Sequence, residues 1–265
     1  MKEELLLEQV NRERSLMPRL GGRKLLVRLA GVLPADLLPG RDKFFDFLRD
    51  HGLLAGKKRK RVRTTYSNHW MRKYPNRIKE FTPTGINQLW VSDITYVPTA
   101  RGFMYLSLVS DAYSREIVGW SVGASLEAKY PVMALDMALK RVEGKSHSLI
   151  HHSDRGSQYC CGEYVRKLTR HNITISMTES GDPRKNAIAE RINGILKDEW
   201  LNRMSLMSLE DARKHLKRII MIYNCHRPHA SLGMKTPVEA ARHGGELKRH
   251  WKTYYKEAKA SFPVE

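Results

Sequence analysis

Three acidic residues stand in settings where a carboxylate needs a reason. Asp93 lies within Leu89-Trp90-Val91-Ser92-Asp93-Ile94-Thr95-Tyr96-Val97, a β-branched and aromatic run that reads as a strand ending at Pro98. Side chains alternate across a strand, so Val91, Thr95 and Val97 share the face of Asp93. A carboxylate buried there costs several kcal/mol unless it is paired or binds a cation. Asp154 follows the apolar strand Ser148-Leu149-Ile150-His151-His152 and precedes Arg155-Gly156-Ser157. The tip of a central strand is where open α/β sheets place ligands. Glu190 falls on a helix beside Ala187 and Gly194, at i−3 and i+4, which are small enough to let that helix approach a sheet closely. Carboxylates from a strand, a neighbouring strand end and a packed helix can hold two divalent ions about 4 Å apart. Such ions activate a water or sugar hydroxyl and stabilise the leaving oxygen of a phosphodiester. Hard oxygen ligands suit magnesium or manganese.

Taken singly, two of the three acids have ordinary explanations. Asp154 before Gly156-Ser157 is also turn chemistry, and Glu190 is also a helix-surface partner for Arg191 or Lys197. Only Asp93 is physically conspicuous alone. Asp111 is a rival carboxylate because it ends a strand adjacent to that of Asp93, and it reads as a strand-end turn residue. His226-Arg227-Pro228-His229 with Ser231-Leu232-Gly233 reads as a structural loop. Trp90, Trp120 and Tyr105 read as core aromatics, and Trp200 as packing at the far end of the helix that carries Glu190. His151-His152 and the adjacent pair Cys160-Cys161 lack the spacing of a zinc site.

The elements that must position the acids follow from the apolar texture. Phe103 to Val109 and Glu116 to Val122 are two further strands, making an antiparallel meander with the first. A helix from about Leu126 to Val142 follows, then the strand to His152, a helix from about Gly162 to His171, and a strand Ile173 to Met177. After Ser180-Gly181-Asp182-Pro183, helices are expected from about Arg184 to Trp200 and from Ser208 to Tyr223. The order predicts an α/β fold with a mixed sheet flanked by helices. Residues 1–56 read as a small helical, helix-turn-helix-like unit, 57–83 as a basic linker, 84–240 as the catalytic core and 241–265 as a basic tail.

The charge says what such a site would act on. Of 265 residues, 47 are Lys or Arg and 28 Asp or Glu, a formal net charge of +19. A surplus that large repels itself in a compact state and points to a polyanionic partner, here double-stranded DNA. The run Lys57, Lys58, Arg59, Lys60, Arg61, Val62, Arg63 concentrates this charge. It should hold phosphates with a strong salt dependence and no base reading. No apolar run approaches the roughly 20 residues a membrane helix needs. The opening Met1-Lys2-Glu3-Glu4 is unlike a secretory leader, so a cytoplasmic protein without a membrane partner is expected.

The words around the acids resemble one family. Asp93 and Asp154 are 60 residues apart and Asp154 and Glu190 35, counted between them. Around them stand Trp90 to Tyr96, Asp111 to Trp120 and His152 to Tyr159, then Asn186-Ala187, Tyr223-Asn224, His226 to His229 and Ser231-Leu232-Gly233. These words, in this order from about Gly21 to Ala240, resemble the DDE integrase core of insertion-sequence transposases, the second reading-frame product, related to retroviral integrases. The resemblance implies a ribonuclease H-like five-stranded core and a catalytic, metal-holding triad of Asp93, Asp154 and Glu190. It further implies a DNA contact at Lys197, two helical turns past Glu190, while Arg155 and the basic run are expected to contact DNA as cations. Cleavage at element ends, joining of the freed 3′-hydroxyl to target DNA by direct transesterification, and assembly of like chains on DNA complete the expectation. Many relatives carry Gly-Asn-Cys-Tyr-Asp-Asn-Ala before the glutamate, where this chain has Gly181-Asp182-Pro183-Arg184-Lys185-Asn186-Ala187, which leaves open what this loop contacts. Two alternatives stand beside this reading. A ribonuclease H-type nuclease would share fold and metals but not the basic arm, and a non-catalytic DNA-binding regulator would need no carboxylates.

Overall fold

Alternating apolar residues build five strands around the position of Asp93. In a computed structural model, residues 2–55, 69–100, 102–143, 148–179, 186–245 and 247 are described. Strands β1 (Leu89–Thr99), β2 (Gly102–Asp111) and β3 (Ile117–Gly123) form the expected antiparallel meander. Strands β4 (Ile150–Ser153) and β5 (Thr174–Met177) extend the sheet from β1 in parallel, giving the order β3-β2-β1-β4-β5. β1 continues through Pro98, where the sequence pattern ends it. β4 pairs only with Leu89, Trp90 and Val91, so the rest of β1 has an open edge on which a missing N–H is tolerated. Gly102, with φ +117°, opens β2 in a conformation that favours glycine.

Each sheet face is covered by helices. On one side Trp90, Val109 and Val118 pack under α4 (Lys129–Leu139), α5 (Ser157–Cys160) and α6 (Gly162–Arg170). The α4 backbone comes so close that a Cβ on Gly119 would sit 2.0 Å from the Ala134 carbonyl oxygen. On the other side Val97, Leu106, Leu108, Ile117 and Val122 meet α7 (Ala187–Glu199) and α8 (Leu209–Cys225). The Ser208 hydroxyl accepts from the Asp211 N–H and caps α8, which fixes its start one residue past the expected one. The short α9 (Pro237–Ala241) closes the core with a reciprocal Thr236/Glu239 capping box.

The N-terminal region forms three helices, α1 (Lys2–Leu16), α2 (Gly22–Ala30) and α3 (Arg41–Asp50). Arg28 grips the buried Glu13 through two hydrogen bonds of 2.9 and 3.0 Å, tying α2 to α1. A Cβ on Gly22 would lie 2.8 Å from the Phe45 ring, so glycine lets α3 close against α2. Val10, Leu20, Leu25, Phe44 and Leu48 join the same apolar cluster as α7 and α8, and the Trp200 indole N–H donates to the Leu16 carbonyl at 2.9 Å. Around Pro75 and Arg77 the chain passes along the sheet edge. The Pro75 carbonyl accepts from the Met177 N–H and the Ser176 hydroxyl accepts from the Arg77 N–H, which covers β5. The basic run at positions 57–63, residue 246 and residues 248–265 of the expected tail lie outside the described residues.

Candidate active site

Parallel pairing places the first two acids side by side. β1 and β4 match Leu89 with Ile150, Trp90 with His151 and Val91 with His152. The two acids follow this pairing by two residues on each chain segment, and Asp154 is near enough for its charge to act on Asp93. The Asp93 carboxyl is pushed up to about 7, first by burial and then by the charge of Asp154, with Glu190 adding to the rise. Asp154 also titrates above its usual range because of burial, partly offset by the Gly156 N–H, which donates to its Oδ1 at 2.9 Å, and by nearby His69. Gly156 is needed there, since a Cβ would crowd Asp154 Oδ1 at 3.0 Å and Gln158 Oε1 at 3.1 Å.

Helix α7 presents one face to this pair. Glu190 stands exposed in its first turn and acts on Asp93 through charge. Three residues on, the buried Asn193 donates from Nδ2 to Asp93 Oδ2 at 2.8 Å, and its own Oδ1 is buried without a partner. Seven residues past Glu190, Lys197 donates to the Thr95 hydroxyl at 3.0 Å, two positions along β1 from Asp93. The sequence reading missed Asn193, although its i+3 offset from Glu190 was the available signal. Asn186 donates from Nδ2 to the Ser92 carbonyl at 3.0 Å and so ties the start of α7 to β1. Among the described residues no three His, Cys, Asp or Glu side chains are gathered to hold a metal ion as they stand.

Surrounding groups hold this arrangement. The His151 Nε2 lies 2.7 Å from the Ser92 hydroxyl and 2.9 Å from that of Tyr164, and burial pushes this imidazole down to about 3, keeping it neutral. His69 Nε2 lies 2.7 Å from the Arg155 carbonyl, which can only accept, so Nε2 carries the proton. Arg155 itself is half-buried, with its Nε unpartnered. At the far end of α7 the fully buried Arg227 forks onto Glu199 at 2.6 and 2.8 Å, and also contacts the Pro228 carbonyl and His229. Residues 226–229 therefore serve as an anchor for α7, as their turn chemistry suggests.

Asp111 occupies the turn after β2. It accepts from the Asn87, Tyr113 and Ser114 N–H groups and from the Ser114 hydroxyl, at 2.8 to 3.1 Å. Of the aromatics read as core, Trp90 is fully buried, Trp120 is partly buried, and Tyr105 is half-exposed against Tyr96.

Comparison with known proteins agrees with this architecture. Two profiles described as integrase core domain match residues 83–183 and 171–237. The insertion element IS600 31 kDa protein of Shigella sonnei is 36% identical over 219 residues, covering 82% of this chain and 79% of that protein. The transposase for insertion sequence element IS629 of Shigella sonnei is 35% identical over 193 residues, 72% of this chain and 63% of its own length. A chain of the simian T-cell lymphotropic virus intasome in complex with PP2A regulatory subunit B56 gamma superposes with a TM-score of 0.52 at 17% identity, covering 97% of this chain and 80% of the other. That likeness is one of fold, a ribonuclease H-like core preceded by helices.

Proposed function

We propose that this chain, which belongs to the integrase-core family of insertion-sequence transposases, cuts DNA at the ends of such an element and joins the freed 3′-hydroxyl to target DNA. The carrying observation is Asp93, a carboxyl pushed up to about 7 by burial and by two further acids. Asp93, Asp154 and Glu190 would hold two magnesium or manganese ions through hard oxygen donors. The donor set suits them, because a cation would relieve the mutual repulsion at Asp93 and the Asn193 Oδ1 is buried with no partner. When bound, the ions supply activation of the attacking hydroxyl and stabilisation of the leaving oxygen.

The protein groups position the reactants. Asn193 orients Asp93, Gly156 orients Asp154, and Asn186 and Arg227 fix the two ends of α7. Lys197 and Arg155 at the rim, with the run Lys57, Lys58, Arg59, Lys60, Arg61 and Arg63, would hold DNA phosphates. The N-terminal helices, as a helix-turn-helix-like unit, would help grip the element's ends, and like chains would assemble on DNA in the cytoplasm. Among the described residues no helix is long and apolar enough to cross a membrane.

A joining assay with labelled end oligonucleotides and plasmid target tests this reading. Wild-type protein with magnesium gives strand-transfer products and Asp154→Ala gives none. Retained joining by Asp154→Ala overturns the carboxylate assignment, and hydrolysis without joining favours a nuclease.

A further inference from the structure

Trp70 differs from every other described tryptophan. Trp90 and Trp200 are buried and Trp120 packs against the main cluster, whereas Trp70 is 92% exposed. Exposing a whole indole forgoes the largest burial gain any side chain offers, so display to a partner is its natural use. Its position is also fixed. One residue earlier, His69 is locked by its 2.7 Å hydrogen bond to the carbonyl of Arg155, the residue after Asp154. One residue later, Met71 packs into the cluster under the sheet, as does Tyr74. An inward anchor on each side leaves Trp70 pointing out on a held turn, about one Cα step of 3.8 Å from the His69 contact.

The surroundings are cationic and aromatic. Arg72 stacks 5.2 Å above the Tyr74 ring, and Lys73 and Arg155 are both near enough to act on the Cys160 thiol. An exposed indole among cations, beside the loop that carries Asp154, matches a nucleobase with its phosphates better than an apolar protein surface. Inside a duplex both faces of a base are already stacked on its neighbours, so an unpaired base at the end offers the freest face to an indole. We infer that Trp70 is a stacking platform for an unpaired nucleobase of the DNA end as that end reaches the carboxylates. This rests on the proposed function for the identity of the DNA, but not on metal chemistry.

The test is equilibrium binding in EDTA, with a blunt duplex and the same duplex carrying a short single-stranded 3′ extension with 2-aminopurine. Trp70→Ala should weaken binding of the extended duplex about tenfold, in line with the loss of one base stack. It should leave the blunt duplex within about twofold, well under the value of one stack. Trp70→Phe should keep most of the preference and the quenching of 2-aminopurine. Equal binding of both duplexes by wild type and Trp70→Ala overturns the inference, as does an equal loss on both. Loss of self-association in Trp70→Ala, with the preference for the extension intact, assigns the indole to a second copy instead. Without metal, this result can fail while the joining assay succeeds, and the reverse.

Discussion

Asp93, half-buried, and Asp111, buried, are carboxylates on paired neighbouring strands, and they are treated in opposite ways. Asp111 receives three hydrogen bonds from its own turn and a fourth from the Asn87 N–H, so its charge is spread over several donors. Asp93 receives one side-chain donor, from Asn193, and faces two other acids. Burial raises both, but only Asp93 is raised further by like charges. A fold has no stability reason to gather acids around a poorly satisfied carboxylate. A site that binds cations does.

Four experiments break or sharpen that contrast. The largest effect is expected on activity at the Asp93 end. Asp93→Asn should lower strand joining by about a thousandfold or more, the rate equivalent of the several kcal/mol a metal-ligand set supplies. Its melting temperature without metal should hold or rise, which differential scanning calorimetry reads. At the other end, Asp111→Ala should cost about 3 kcal/mol of stability in urea titration, because buried donors lose their acceptor. Joining per folded molecule should then remain, and a loss as deep as that of Asp93→Asn would erase the distinction.

The third expectation concerns pH. The folded-state Asp93 carboxyl titrates at about 7 against an ordinary 3.8. Between those values the unfolded chain has lost the proton that the folded chain retains, so stability falls as pH rises from about 4 to about 7. Asp93→Asn should flatten that part of the melting-temperature profile in EDTA, and Asn193→Ala should extend the fall to higher pH by removing a hydrogen bond that favours the carboxylate. An unchanged profile in both would show that Asp93 is less perturbed than its setting implies. The smallest effect is at Gly156, where Gly156→Ala brings a Cβ to 3.0 Å from Asp154 Oδ1. Magnesium titration of joining should show a few-fold higher magnesium requirement, with little change in folding.

Much of the scaffold was legible because it obeys local rules. The meander, the strands flanking α6 and the helix of Glu190 follow from β-branched runs, helical periodicity and turn residues, and Asp111 was readable as a turn because Tyr113 and Ser114 follow it at the right offsets. Element ends were less legible, since Pro98 is accommodated only because β4 stops short of it. Other contacts are separated by many residues. The Asn193 hydrogen bond to Asp93, the Thr95 contact of Lys197 and the His69 contact with Arg155 connect segments that share no local pattern.

The sequence by itself determined which acids sit in apolar settings, how they are spaced, and that the chain as a whole suits DNA. Periodicity and charge are properties of the chain read in order, so no folding is needed to see them. Only the tertiary structure decided which acid is satisfied and which is left short of partners. It alone set Pro75 and Arg77 against the edge of β5 and packed the N-terminal helices into one cluster with α7 and α8. Hydrogen-bond partners and shared burial depend on distance in space, and a residue's neighbours along the chain say little about what lies across a sheet from it.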